Sequence, residues 1–559
     1  MIETLLGLVV ALLVVALTTV VGRWAGIAAP ILMVAVGVGG SFLPMFDDFV
    51  LDPEWILLGI LPPLLYSAAV SMPAMHFRRE FGAIAGLSVF LVIGTALALG
   101  LFFMIVIPDL GFAWGVALGA IVSPTDAVAT SIIKRTPVSK RVIAILEGES
   151  LLNDATALVL LRTAIAAAAA SFSFWGAVGT FAYAVVVAVL IGGFLGWLNL
   201  TVRRRATDPT VNTVLSFTVP FLAAIPAELL GASGLVAAVV AGIITGVGGP
   251  RVFSARNRLS DAQNWRTVEL VLEGLVFLFM GLQLTTIISD VQAAHAGVAP
   301  ALLIAAGAWL LTVVVRAGYV APLLALLSLS ARRVRRLQPR LETIAQRLES
   351  EEGEKKLVAA FARRGRTVSR DTVRRFGPRV TRGLADIRYF QEAPLGWREG
   401  ALVVWAGMRG AITLAAAQTL PEDTPQRSVL ILVAFGVAVL SLVGQGSSVA
   451  AMVTVLTPAG AQEETRQRER EERRHILELL RESAAIVPAV ETTGRRGPLP
   501  DLRDRKRSPS GGHRRAAPRA SRRPRQRHLR RRRARSRAGC HRCGADRDRT
   551  ALGPRLTSI

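Results

Sequence analysis

Residues 147–161 read EGESLLNDATALVLL, an apolar run that nonetheless carries Glu149, Ser150, Asn153 and Asp154. At about 100° per residue on an α-helix, Ser150 and Asp154 stand about 40° apart with Asn153 beside them. That face offers a hydroxyl, an amide and a carboxylate, the hard oxygen donors that suit a small alkali cation. Glu149 lies about 140° from Asp154 on the same helix and so has a different task. Two further apolar runs are interrupted by polar groups. In SPTDAVAT (123–130) Pro124 removes a helix hydrogen bond while Ser123, Thr125 and Asp126 offer replacements, which predicts a broken helix. In WAGMRGAIT (405–413) Gly407 and Gly410 flank Arg409. Two interrupted spans in separate halves of a helical chain point to a transporter with inverted repeats and a midplane site.

The elements that position these residues follow from composition. The 559 residues are 52% hydrophobic with a mean hydropathy of +0.46 and only four Tyr, and the apolar runs recur from residue 4 to residue 457, which excludes an ordinary soluble protein. A helix needs about 20 mostly apolar residues to cross the hydrocarbon core, and lipid leaves no partner for unpaired backbone groups. Thirteen such stretches are predicted, at 4–21, 26–44, 54–71, 82–107, 111–133, 142–170, 174–200, 211–230, 232–248, 268–287, 299–328, 398–420 and 428–457. The expected fold is therefore an all-α polytopic membrane protein of about 13 transmembrane helices. The first run has Glu3 before it, no Lys or Arg until Arg23 and no small-residue cleavage pattern, so it reads as a true first span.

Loop charge predicts orientation. Arg23, the Arg78–Arg79 pair, Lys134 to Arg141, Arg203 to Arg205 and Arg251 to Arg266 fall in odd-numbered loops, whereas the short even-numbered ones hold only Arg427 with acids Asp47, Asp48 and Asp109. The positive-inside bias then places the N-terminus outside and the C-terminus in the cytoplasm of a cell (plasma) membrane protein. Domain expectations are a transmembrane domain over 1–457, with a cytoplasmic insertion of one or two surface helices at 329–397, a helical segment at 458–495 and an Arg-rich disordered tail at 496–559. Residues 501–559 hold 21 Lys+Arg against 4 Asp+Glu, or +17 of the formal +25, an abrupt shift that also fits out-of-frame translation of GC-rich coding sequence. Cys540 and Cys543 are the two cysteines, a single CxxC without a second ligand pair.

Ionisable side chains in lipid need partners or water. Of those in the predicted spans, Glu228, Glu269 and Glu273 are expected in interfacial or packing roles, and Arg162 and Arg316 in structural pairs with partners unknown. A buried carboxylate without a full positive partner can hold either a proton or a cation, so the two compete for it. No nucleotide-binding glycine loop or catalytic triad accompanies the site, so the chain reads as a carrier and not an enzyme.

The ordered motifs LPPLLYSAA, SPTDAVATSIIKR, GESLLNDATALV, AELLGASGLVAAVVAGIITG, GLVFLFMGLQL and WAGMRGAITLAAA cover most of residues 1–457. Together the set resembles the monovalent cation:proton antiporter-1 family, the prokaryotic and animal sodium/proton exchangers, and in particular its bacterial NhaP-like type. The resemblance implies a homodimer in which each chain has a dimerisation domain and a six-helix core with crossed discontinuous helices at spans 5 and 12. It implies that Asp154 binds the ion and the proton, that Na⁺ is held by Asp154, Ser150 and the Thr125 backbone, and that Asn153 completes an Asn-Asp pair. It further implies that Asp126 offsets charge at the broken-helix ends and that Glu149 pairs with Arg409. The chain departs from the pattern at Ser67, where some members carry an acid, which puts a third carboxylate in doubt. The expected function is electroneutral exchange of one Na⁺ for one H⁺ by alternating access, for pH and sodium homeostasis. The alternatives are a K⁺/H⁺ or Li⁺-preferring antiporter and, from another class, a non-transporting membrane sensor. Expected partners are the transported Na⁺ and H⁺, membrane lipids and a second copy of the chain; no cofactor and no nucleic acid are expected.

Overall fold

A computed structural model describes residues 2–43, 52–126, 128–134, 136, 138–169, 174–295, 297–348, 370–456 and 459–486. Among the described residues each predicted span overlaps one or two helices. In chain order these are α1 Ile2–Ala25, α2 Ala29–Ser41, α3 Leu61–Ser71 with a π-helical turn at Trp55–Ile60 before it, α4 Ala74–Ala85 and α5 Val92–Val106 joined by a second π-helical turn at Gly86–Leu91. There follow α6 Gly111–Val122, α7 Val128–Ile133, α8 Lys140–Ala169, α9 Phe174–Arg203, α10 Pro209–Leu229, α11 Gly234–Val252, α12 Ala255–Leu282 and α13 Leu284–Ala293. The remainder are α14 Val298–Leu348, α15 Arg370–Glu392, α16 Trp397–Trp405, α17 Ala411–Gln418, α18 Arg427–Leu456 and α19 Ala459–Ile486.

Among the described residues nine helical stretches are long and apolar enough to cross a membrane, and Ala29–Ser41, Trp55–Ser71 and Gly111–Val122 are shorter apolar helices. The two interrupted spans are each split into short helices for a physical reason. Pro124 denies an amide to the ladder, so α6 ends before it and α7 begins after it, and Gly407 and Gly410 bracket the extended residues between α16 and α17. Elsewhere helix starts are set by caps: Asp208 accepts from the amides of Thr210 and Val211 at α10, and Ser233 and Ser254 do the same for α11 and α12.

The first compact unit, Met1–Leu480, holds two helix groups. Helix α12 packs chiefly on α2, and α11 on α3 and α9, with α1 and α10 completing that group. The other group pairs α5 with α6, α8 with α4 and α6, and α14 with α18, and it contains both broken helices. Close approach within each group relies on glycine. A Cβ on Gly37 or Gly281 would collide with the facing backbone of α12 or α2, which lets these two helices lie backbone to backbone.

The predicted insertion is helical at both ends. Helix α14 runs on to Leu348 and α15 returns along it, while residues 349–369 lie outside the described set. Asp386 of α15 takes Arg79 (2.5 Å) and Arg78 (3.7 Å) from α4, and the Tyr389 ring lies under Arg79 with its hydroxyl 3.2 Å from His76 Nδ1. Burial, with the nearby Glu80 charge, pushes the Tyr389 hydroxyl up to about 12, so it stays a neutral phenol. Arg141, at the start of α8, is locked to Glu80 (2.6 Å) and donates to the Ala393 carbonyl (2.7 Å) just past α15. The insertion thus grips the ends of α4 and α8. Of the predicted tail at 496–559, all lies outside the described residues.

Candidate functional site

Where the broken helices meet, the Asp126 amide donates to the Met408 carbonyl (2.7 Å), so the two unwound segments are bonded to each other. The crossing gathers four helix ends, whose unpaired backbone groups carry partial charges. The Asp126 carboxylate accepts from the Val128 amide (3.1 Å) at the start of α7 and lies against Gly410, the N-cap of α17, so closely that a Cβ there would fall on it. Arg409 serves the opposite ends: its Nε donates to the Val122 carbonyl (3.1 Å), the last of α6, and its Nη1 to the Gly407 carbonyl beyond α16. One carboxylate thus faces positive ends and one guanidinium negative ends.

Helix α8 is tied to this crossing. Asn153 Nδ2 donates to both the Thr125 carbonyl (3.1 Å) and the Thr125 hydroxyl oxygen (2.7 Å), and that hydroxyl donates to Glu149 Oε1 (3.2 Å). Glu149 was expected to pair with Arg409 and does not. Its carboxylate is held by both terminal nitrogens of Arg316 from α14, with Nη2 at 2.7 Å from Oε2, and both side chains are 2% exposed. The physical reason is that Arg409 is already engaged through Nε and Nη1 by the carbonyls of the helix ends, whereas Arg316 gives only its Nε to a carbonyl and keeps both terminal nitrogens for the carboxylate. Arg316 also donates to the Val403 carbonyl (2.9 Å), and it lies across Gly407, where a Cβ would meet its Nε at 2.6 Å. The other expected structural pair is Arg162 with Glu228, at 2.9 Å.

Asp154 is the exception to this saturation. It is 3% exposed, and among the described residues no hydrogen bond or ion pair reaches its carboxylate. It lines a cavity of about 240 Å³ together with Ser150, Thr125 and Asp126. The Ser150 hydroxyl spends its hydrogen on the Glu147 carbonyl (3.2 Å), which leaves its oxygen lone pairs available. The structure therefore brings together the expected Asp154, Ser150, Thr125 and Asp126 on one cavity, with Asn153 as the tether behind it and Glu149 on a separate face.

The far wall holds two acids whose place sequence reasoning missed, Glu269 and Glu273 of α12. Both were assigned to interfaces or packing. Their spacing of four residues on one helix face was readable, but which way that face points was not. Ser67 donates to Glu269 Oε1 at 2.5 Å, so the position where the sequence lacks an acid is occupied by a hydroxyl that binds one from another helix.

Residues 8–455 match the family described as sodium/hydrogen exchanger, transmembrane. The chain belongs to that family. An uncharacterised Na⁺/H⁺ exchanger of Mycobacterium tuberculosis (strain ATCC 25618 / H37Rv) is 29% identical over 461 residues, covering 80% of this chain and 74% of the relative. A sodium, potassium, lithium and rubidium/H⁺ antiporter of Bacillus subtilis (strain 168) is 31% identical over 297 residues, 51% of this chain and 44% of that one. Among solved structures, the sodium proton antiporter MjNhaP1 of Methanocaldococcus jannaschii at pH 8 superposes with a TM-score of 0.56 at 15% identity, covering 82% of this chain and 99% of its own. The exchanger-family chain thus shares the antiporter fold and is a multi-pass membrane protein.

Proposed function

We propose that this exchanger carries Na⁺ and H⁺ in opposite directions by alternating access, with Asp154 as the shared binding group. The observation that carries the reading is a nearly fully buried carboxylate without a protein partner among the described residues, lining a cavity beside oxygen donors at a helix break. A charge in such a place is costly unless neutralised, so the site holds either a proton or a cation. Na⁺ is taken by the Asp154 carboxylate, the Ser150 hydroxyl and the Thr125 carbonyl. The second lone pair of that carbonyl remains after Asn153 has used the first.

Only the neutralised site crosses the barrier between the two sides cheaply, and this makes the exchange obligatory. Glu147, on the same face of α8, is ion-paired with Lys134, which leaves Asp154 as the one acid there free to couple, so the stoichiometry is one Na⁺ for one H⁺. The crossing is built for movement without loss of charge balance, because Asp126 and Arg409 travel with the helix ends they neutralise. The chain works as a homodimer in the cell membrane, with its N-terminus outside and its C-terminus in the cytoplasm, and uses no cofactor and no covalent chemistry. Its tail beyond residue 495 is dispensable for transport.

A broader cation range is the second reading, favoured by the Bacillus subtilis relative, whose name includes potassium, lithium and rubidium. Both readings are decided in proteoliposomes with an internal pH dye, to which Na⁺, K⁺ and Li⁺ are added in turn. Dequenching by Na⁺ alone supports the first, dequenching by all three supports the second, and no response to any of them overturns transport.

A further inference from the structure

Five carboxylates line the cavity at the seam of the two helix groups: Asp126, Glu147 and Asp154 on one wall, Glu269 and Glu273 of α12 on the other. The cationic side chain among the lining residues, Lys134, is ion-paired with Glu147, so it does not offset the others. Like charges gathered in about 240 Å³ cannot all be ionised without a proton or a cation among them. Of the four carboxylates besides Glu147, two are committed to protein groups. Asp126 accepts from the Val128 amide and lies against Gly410, and Glu269 accepts from Ser67. The other two, Asp154 and Glu273, have no hydrogen bond or ion pair among the described residues. Asp154 is buried, and Glu273 is half-buried on the facing wall.

From this arrangement we propose that Glu273 is a second cation- and proton-binding carboxylate, one that belongs to the stationary group of helices and serves the ion only while the site faces the cytoplasm. The inference rests on the reading of Asp154 given above. Helix α12 packs on α2, α3 and α10, whereas α8 packs with the broken helices, so the two acids sit on bodies that alternating access displaces against each other. The cavity runs from Asp154 toward Ser71, Ser131 and Lys134, which lie at the ends of α3 and α7 near the basic loops, the side assigned to the cytoplasm. A cation entering there meets Glu273 and Glu269 on its way to Asp154. When the moving group swings outward, Asp154 leaves and Glu273 stays. Glu273 therefore contributes to cytoplasmic affinity and not to external affinity, and its own proton is exchanged on one side of the membrane alone.

The test is Glu273→Gln in everted and right-side-out membrane vesicles, with KM for Na⁺ and its pH dependence measured from each side. Losing one carboxylate near the cation should raise the cytoplasmic-side KM by roughly tenfold, as for one screened charge contact, and flatten its pH dependence, with the external-side KM unchanged. Glu273→Asp should recover most of the cytoplasmic affinity. Equal KM on both sides in Glu273→Gln and wild type would overturn the proposal, and so would an equal change on both sides, which is what a structural defect produces. Asp154→Asn, measured alongside, separates the two claims: exchange surviving in that variant sinks the reading of Asp154, whereas a symmetric result with Glu273→Gln sinks only this inference.

Discussion

Arg316→Met removes the cation that holds Glu149 and leaves a carboxylate that is 2% exposed between helices. Four interactions are at stake around the pair: two charged hydrogen bonds to Arg316, the Thr125 hydroxyl on Glu149, and the Val403 carbonyl on Arg316. Breaking a buried ion pair from one side typically costs about 3–5 kcal/mol, most of it the stranded charge. Glu149→Gln strands the guanidinium and should cost a similar amount. The double variant strands neither charge, so its loss should fall short of the sum by at least about 2 kcal/mol. Reversible unfolding of the detergent-solubilised protein in mixed micelles reads the four corners of the cycle. The same cycle with Arg409 in place of Arg316 should couple much more weakly, because Arg409 is held by the Val122 and Gly407 carbonyls. Additivity for Glu149 with Arg316, or equal or stronger coupling with Arg409, would refute the assigned pairing.

Gly410→Ala should abolish exchange while the protein still inserts, since its Cβ falls on the Asp126 carboxylate; transport assays with size-exclusion profiles check this, and Gly444→Ala, where the nearest side chain is 3.7 Å away, should be tolerated. Asn153→Asp sets two carboxylates side by side in one helix, so the pair should titrate as a coupled unit, the pH profile of transport should shift, and exchange should become sensitive to membrane voltage in potential-clamped vesicles. For topology, cysteines introduced at Arg204 and Arg258 should react with an impermeant reagent only from the cytoplasm and one at Asp48 only from outside; labelling of the Arg204 and Asp48 positions from the same side would break the orientation.

Much of this was legible because the informative residues act locally. Pro124 and the Gly407/Gly410 pair break their own helices whatever surrounds them, and the angle between Ser150, Asp154 and Glu149 is fixed by helix geometry alone. Long-range partnerships were not legible. Glu149 and Arg316 are 167 residues apart, and nothing in either segment says whether Arg316 or Arg409 reaches the acid. That Glu269 and Glu273 line the cavity was not legible for the same reason, since a helix face has no direction until its neighbours are placed. The predicted fourth span at 82–107 belongs to a helical stretch that begins at Ala74, where loop-like charges Arg78 and Arg79 had suggested an end; Asp386 and Tyr389 of the insertion supply the partners that keep those residues helical. Span 10 likewise begins earlier than expected, at Ala255, because Ser254 caps it there, and it ends at Leu282 before α13.

The most direct test of the central claim is Na⁺-driven proton movement by Asp154→Asn in proteoliposomes. The substitution keeps size and hydrogen-bonding capacity but removes both the titrating proton and the charge that attracts the cation. Because Asp154 has no protein partner among the described residues, no ion pair is broken and the variant should purify and reconstitute like the wild type. The account predicts correctly folded protein with no Na⁺-dependent proton flux at any pH. Wild-type flux in Asp154→Asn would contradict it and move the coupling carboxylate elsewhere in the cavity.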